Sequence, residues 1–425
     1  MENFPSEIKD LLHLKDKLEN SYRYFKNLNL NLDMSRGKTS PKQLDLSLDL
    51  LNQLKKDNLN INGVDCRNYG VLDGISGIKN LFAKILDVDP LNVFVGGNSS
   101  LCLMFDTIDQ YMYQGVNGNI PWSKQGKIKF LCPCPGYDRH FAMLDYFGIE
   151  QICIPMTSTG PDMDLIEKLL STDEKIKGIF CVPKYSNPQG ITYSDETVTR
   201  FAKLKPKATD FRIFWDNAYA VHDIRQNGDK LLSIMQECKK YSNEDIFVMF
   251  SSTSKITFPG AGISVIAAST NNLNYLKEKY SKKTIGFNKL NQLAHLYFLK
   301  DYENLLSHMQ KHRKILEPKF DMVLKHLNEN FKDNNLVKWT SPNGGYFISV
   351  DLQLASAKKV VDLCKKAGLK LTPAGSTYPK GQDTRDNNIR IAPTYPSLEE
   401  LDKAMDLFCL CVKLSSIEKL LTDPS

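Results

Sequence analysis

Apolar and polar positions alternate along this chain in two rhythms, and the switches between them outline its architecture. Near the start, Ile8, Leu11, Leu12, Leu14, Leu18, Tyr22 and Phe25 recur at helical spacing, which predicts an amphipathic helix over 6–26. A polar Arg-Gly-Lys-Thr-Ser-Pro loop follows. Pro41, with Ser40 as N-cap, then opens a helix predicted to run through Lys55. From about residue 73 to 268, helical patterns alternate with short β-rich runs at 93–95, 128–132, 149–154, 178–182, 213–215, 246–250 and 263–268. That alternation predicts an α/β domain with a mostly parallel seven-stranded sheet between helices, the last strand antiparallel. A long helical stretch from Gly286 to about Phe331 is expected to break or bend near Pro318. Beyond it the pattern reads strand (346–350), helix (355–367), strands (369–371 and 388–391) and helix (397–414), a smaller α+β domain. The all-polar run from Asp383 to Asn388 reads as a mobile loop.

A length of 425 residues gives room for two packed domains, and 42% hydrophobic with 24% charged residues is ordinary for a globular chain. The expected division is an N-terminal segment over 1–60 packing with the small domain, a large domain over 61–310, and a C-terminal small domain over 311–425. Net charge is +6, with basic residues spread rather than clustered, which disfavours nucleic-acid binding. The ten cysteines have no metal-ligand spacing: Cys132-Pro133-Cys134 and Cys409-Leu410-Cys411 are separated by one residue, so no metal is expected. Free thiols in apolar runs suit a reducing compartment. No secretory pattern opens the chain, and no apolar stretch approaches the ~18 residues needed to span a bilayer. The expected location is the cytoplasm.

Candidate chemistry sits where predicted strands end. Lys255 follows the apolar run 246–250 within Ser251-Ser252-Thr253-Ser254-Lys255 and precedes Pro259-Gly260. Free lysine has a pKa of ~10.4 and is a poor nucleophile at neutral pH, so a lysine placed here suits an amine held as a Schiff base by a cofactor aldehyde. Taken alone among 55 lysines and arginines, it reads more readily as a solvated surface charge. Asp216, in Trp215-Asp216-Asn217-Ala218-Tyr219, ends another buried run and can pair with a protonated pyridine nitrogen. Tyr219 can hydrogen-bond a ring phenolic oxygen, as can an Asn187 amide held in the turn Asn187-Pro188-Gln189-Gly190. Each of these is also an ordinary turn signal. Gly96-Gly97-Asn98-Ser99 ends a strand and opens a helix, which offers backbone N–H groups as a phosphate seat, or simply a turn.

In this order, the three strand-end motifs resemble those of fold-type I pyridoxal 5′-phosphate (PLP) enzymes of the aspartate aminotransferase superfamily. The run from Asp33 to Pro41, the Gly96–Ser99 turn and the segment from Ser254 to Gly262 look most like the MocR-type (subgroup Ic) branch. The resemblance implies a homodimer with shared active sites. It assigns Gly97, Asn98 and Ser99 to the cofactor phosphate, with Ser252 and Ser254 donating further hydrogen bonds. Tyr137 would stack on the cofactor ring, and Tyr69 would reach the partner subunit's phosphate. Arg390 would clamp the substrate α-carboxylate, with Gly37 against it and Asn187 also contacting the substrate. The superfamily usually has an arginine just beyond the Pro-Gly after the lysine, but no basic residue occurs here from Ile256 through Ser269.

The implied activity is ping-pong transfer of an amino group between an amino acid, aspartate or glutamate, and a 2-oxo acid. Lys255 would act as general base, with Asp216 and Tyr219 as catalytic partners. Aromatic, kynurenine or 2-aminoadipate transamination, a PLP-dependent C–S lyase, and a non-catalytic PLP-binding regulator are the alternatives. Arg36, Lys38, Arg139, Lys184 and Lys289 are all open as partners for a distal substrate carboxylate.

Overall fold

Seven strands build the central sheet of the computed structural model, which describes residues 7–422. In spatial order they are Val93–Val95, Ser264–Ala268, Phe247–Ser252, Arg212–Asp216, Ile176–Cys181, Lys129–Cys134 and Glu150–Thr157. A two-residue strand, Gly160–Pro161, adds an eighth member at the outer edge. From Phe247–Ser252 outward to Glu150–Thr157 the strands are parallel. Ser264–Ala268 is antiparallel to both its neighbours. The mostly parallel seven-stranded sheet with an antiparallel last strand is thus the observed one, plus a short edge hairpin.

The central strands are apolar throughout because both faces are covered. Along Arg212–Asp216, Ile213 and Trp215 join one core, packed under helix residues such as Phe82, Ile166 and Phe201. Phe214 joins the other, with Phe130, Phe250, Met104 and Leu276. Phe214 and Phe250 stack with ring centroids 5.8 Å apart, so neighbouring strands hold each other in register through this face.

A three-stranded antiparallel sheet of Val337–Trp339, Ile348–Leu352 and Asn388–Ile391 carries the smaller α+β unit. The helices Tyr302–Phe331, Ala357–Lys366 and Leu398–Thr422 pack on it through Phe320, Val323, Val360, Leu401 and Phe408. The N-terminal segment completes this unit: Leu32–Asp33 pairs in parallel with Leu369–Lys370, and Leu32 and Met34 enter the same core.

Three expectations from the sequence are corrected. The helix opened by Pro41 ends at Asp45, and a 3₁₀ turn over Leu48–Asn52 replaces its continuation. Between them the buried Ser47 turns its hydroxyl to the Ile256 carbonyl and to His308 Nε2, away from any helical role. The stretch after Gly286 breaks at Lys300 (φ +61°), between helices Lys289–Leu299 and Tyr302–Phe331, where Asp301 caps the second by accepting from the Asn304 N–H. Pro318 lies inside that second helix, which runs on to Phe331, with Leu316 and Phe320 anchored in the core on either side. The 383–388 loop is tied down, since Asp383 Oδ2 accepts from the N–H groups of Asn387 and Asn388 at 2.9 Å each. The amphipathic helix predicted over 6–26 spans Ile8–Asn27, and Ser6 lies outside the described residues. Among the described residues, no helix is long and apolar enough to cross a membrane.

Candidate active site

Parallel strands share one C-terminal edge, and there the chain leaves the sheet four times in succession. Cys134 leads into Tyr137, Cys181 into Asn187, Asp216 into Tyr219, and Ser252 into Lys255. The adjacent edge is closed by the Gly97 turn, whose carbonyl accepts from the Ser264 N–H at 2.7 Å. A cavity of about 960 Å³ opens between this edge and the smaller unit, and Gly37, Tyr137, Asn187, Tyr219, Lys255 and Arg390 line it.

Lys255 Nζ sits 4.9 Å from the ring centre of Tyr219 and 5.7 Å from that of Tyr346. Burial lowers its pKa below the ordinary 10.5, against the opposing charge of Asp216, so the neutral amine is favoured relative to free lysine. His222, buried beside them, is kept neutral, its pKa driven well below 6.5 by burial and then by the Lys255 charge. Tyr219 is held as the phenol, its pKa raised far above 10 by burial.

The lysine's backbone is held from behind. The carbonyl of the next residue, Ile256, accepts from His308 Nε2 at 2.8 Å and from His312 Nε2 at 3.0 Å. His312 Nδ1 in turn accepts from Gln43 Nε2 at 3.2 Å, and the same amide nitrogen donates to the Tyr346 hydroxyl at 3.0 Å. Burial holds the His312 pKa down to about 4, which keeps this chain of donors in one protonation state at neutral pH.

Asp216 is almost fully buried. One of its oxygens, Oδ2, accepts from His140 Nε2 at 3.0 Å, and the His140 ring stacks on Phe180 with centroids 4.2 Å apart. The other oxygen, Oδ1, is buried with no hydrogen-bond partner among the described residues. A buried carboxylate oxygen without a donor carries a large desolvation cost, so this atom is set up for a donor from outside the chain. Tyr137 packs edge-on to His140 at 5.0 Å, and burial pushes its pKa up to about 12.

Arg390, from the strand Asn388–Ile391, is also buried, with its guanidinium carbon 4.8 Å from the centre of the Phe347 ring. Its Nη1 donates to Asn187 Oδ1 at 3.1 Å and to Asp138 Oδ1 at 3.0 Å, while Nε is buried and unpartnered. The contact fixes the Asn187 amide so that its Nδ2 side is free to donate elsewhere. Gly37 packs on Phe347: a Cβ at Gly37 would stand 2.5 Å from Phe347 Cζ.

At the opposite end, helix Ser100–Gln114 begins with Ser99 as N-cap, and the Ser99 side chain makes no capping hydrogen bond. The first N–H groups of this long helix are therefore open to an anion. Ser252 and Ser254 hydroxyls bond each other at 3.0 Å, and Ser254 also reaches the Asn98 carbonyl at 3.5 Å, so Asn98 and both serines form one wall.

Tyr69 stands apart from these residues. It is 83% exposed and lines a separate cleft with Gly70 and Lys289. Of the five basic candidates for a distal carboxylate, Arg36, Lys38 and Arg139 line the main cavity. Lys184 is instead bonded to the Ala220 carbonyl and Asp223, and Lys289 to the Gly70 carbonyl. Asp138, Tyr346, Phe347 and the two helix histidines are not singled out by the sequence patterns. The i,i+4 spacing of His308 and His312 is the one local sign that they share a helix face.

Comparison with known proteins agrees with this geometry. Residues 6–423 match the aspartate amino-transferase family. An aspartate aminotransferase of Corynebacterium glutamicum is 40% identical over 420 residues, covering 98% of this chain and 96% of that one. The crystal structure of an aspartate transaminase from Corynebacterium glutamicum superposes with a TM-score of 0.94 at 40% identity, covering 97% of both chains. An aromatic-amino-acid aminotransferase of Thermococcus litoralis is 27% identical over 285 residues, 66% of this chain and 65% of that one. With a family match over nearly the whole length and a relative at 40% identity, the chain belongs to the aspartate aminotransferase family.

Proposed function

We propose that this aminotransferase uses PLP to move an amino group from aspartate or glutamate to a 2-oxo acid. The observation that carries the reading is one constellation: a buried lysine with a depressed pKa, a buried carboxylate with one free oxygen, and a buried arginine lining the same cavity as the lysine. The residues present fit the cofactor. Asp216 Oδ1 is an acceptor waiting for a ring N–H, Asn187 Nδ2 and Tyr219 suit the phenolic oxygen, and Tyr137 offers a stacking face. The Gly97–Ser99 turn with Ser252 and Ser254 suits the phosphate, which is held without a basic residue from Ile256 to Ser269. That absence supports placement in the MocR-type branch.

When bound, PLP supplies an aldehyde that takes up amines and a ring that withdraws electrons from the substrate Cα. Lys255 Nζ would hold the cofactor aldehyde when substrate is absent and, when free, would take the proton from the substrate Cα. Asp216 Oδ1 would accept the ring N–H and favour its protonated form. Arg390 binds the α-carboxylate and so fixes which Cα bond faces Lys255.

The dicarboxylic preference is supported by Arg36, Lys38 and Arg139 around a cavity where Asp138 is the one acidic lining residue. A homodimer is supported by the exposure of Tyr69, which then faces the partner's cofactor. We further propose the division 1–60, 61–310 and 311–425, and a cytoplasmic location, which ten free cysteines support.

Initial-rate kinetics with aspartate and 2-oxoglutarate test the reading. Parallel double-reciprocal lines without ammonia release are expected. Ammonia release from a sulfur amino acid, with no transfer to any 2-oxo acid, would identify a C–S lyase instead.

A further inference from the structure

Arginine carries five N–H donors: two on Nη1, two on Nη2 and one on Nε, with Nε and Nη2 on the same edge of the planar group. At Arg390 the structure accounts for three of them. Nη1 donates to Asp138 Oδ1 at 3.0 Å and Asn187 Oδ1 at 3.1 Å. Nη2 donates to Thr372 Oγ1 at 3.4 Å, a hydroxyl whose own proton goes to the Ser35 carbonyl at 2.6 Å. Nε is unpartnered but buried and closed to the cavity, so the donor that remains for a ligand is the second one on Nη2. The Asp138 carboxylate is oddly placed for a site that takes anions: it is the single acidic group lining a cavity with Arg36, Lys38 and Arg139, and it already occupies part of the arginine meant for substrate.

We infer that Asp138 is a positioning residue that occupies Nη1 and so makes Arg390 present its remaining Nη2 donor to the substrate α-carboxylate. This rests on the proposed role of Arg390 as the carboxylate clamp and assigns a specific geometry to it. Asp138 is suited to the task because it is the first residue of helix Asp138–Tyr146, immediately after Tyr137, which fixes where its side chain starts at the cavity wall. Asn187 alone leaves one Nη1 proton unpaired, and the guanidinium is then free to turn its end to the incoming carboxylate. Binding through Nη2 does not displace Asp138, so the arginine keeps both carboxylates at once. The substrate orientation that results is set by the protein rather than by the anion.

The test compares Asp138→Ala and Asp138→Asn by succinate calorimetry and by steady-state kinetics of the PLP-loaded enzyme with aspartate. Asparagine keeps an oxygen acceptor for Nη1, and alanine does not. Asp138→Ala is expected to weaken succinate binding and raise KM at least tenfold, with kcat within about threefold. Asp138→Asn is expected to stay within about threefold of wild type in both. Asp138→Ser, too short to reach Nη1, carries the alanine expectation and guards against a folding failure of Asp138→Ala. The inference is overturned if alanine binds succinate as tightly as wild type or tighter, if asparagine is as damaged as alanine, or if the loss falls on kcat alone. The visible cofactor band of the wild-type protein tests the PLP reading separately. A chain without that band but with this order of succinate affinities keeps the clamp geometry and discards the cofactor.

Discussion

Replacing Gly37 by alanine tests how the cavity wall supports the proposed carboxylate clamp. An added Cβ would meet Phe347 Cζ at 2.5 Å and Cε1 at 2.9 Å, where ordinary contact begins at 3.4 Å. The ring must therefore withdraw by about 0.9 Å (3.4 − 2.5). Phe347 is itself buried, and its ring lies 4.8 Å from the Arg390 guanidinium carbon, so a close-packed interior passes the shift to the arginine. Misplacing a binding group by about 1 Å costs on the order of 100-fold, or about 2.7 kcal/mol. Gly37→Ala is thus expected to lower kcat/KM for aspartate by about 10- to 100-fold, chiefly through KM, with the cofactor absorbance intact. Trimming the obstructing ring in Gly37→Ala/Phe347→Leu should recover most of the loss. An unchanged kcat/KM in the single variant, or no recovery in the double, would refute the packing argument.

Acid should weaken the fold through its buried histidines. Burial holds His295 and His312 at pKa values of about 4, below the ordinary 6.5. The unfolded chain therefore binds their protons first as pH falls, and stability drops between about 6.5 and 4. Each accounts for about 2 kcal/mol between pH 7.5 and pH 5. Urea unfolding at those two pH values should show that difference reduced by about one share in His312→Gln, and an unaltered difference would contradict the assignment. Asp216→Asn, which removes the charge facing the proposed ring nitrogen, should lower kcat about 10- to 100-fold while PLP still binds, and a kcat within twofold of wild type would remove Asp216 from the chemistry. For shared sites, mixing Lys255→Ala with Tyr69→Ala chains should rebuild one intact site per hybrid dimer and restore about a quarter of wild-type activity. No recovery on mixing would place Tyr69 outside the partner's site.

The legible part of the candidate site is the part that follows a strand. Asn187, Asp216 and Lys255 each come directly after an apolar run, and a parallel sheet gathers such ends at one edge regardless of the helices between them. Gly97 was legible for a similar reason, as a turn from strand into helix. The groups around them were not, because their contacts join distant segments. Gln43, His312 and Tyr346 meet across 269 and 303 positions of sequence. Asp138 reaches Arg390 across 252. Nothing local marks Phe347 as the ring that Gly37 and Arg390 share. The helix errors have a different origin. Pro318 is the residue that propensity nominates as a breaker, yet core packing carries the helix through it, while the real break at Lys300 has neither proline nor glycine to announce it.

The most direct test of the central claim is an absorbance spectrum of the PLP-reconstituted protein, before and after excess aspartate without any 2-oxo acid. The account expects a visible band that aspartate shifts to shorter wavelength and that Lys255→Ala lacks. A band that persists in Lys255→Ala, or no band in the wild-type protein, would contradict it.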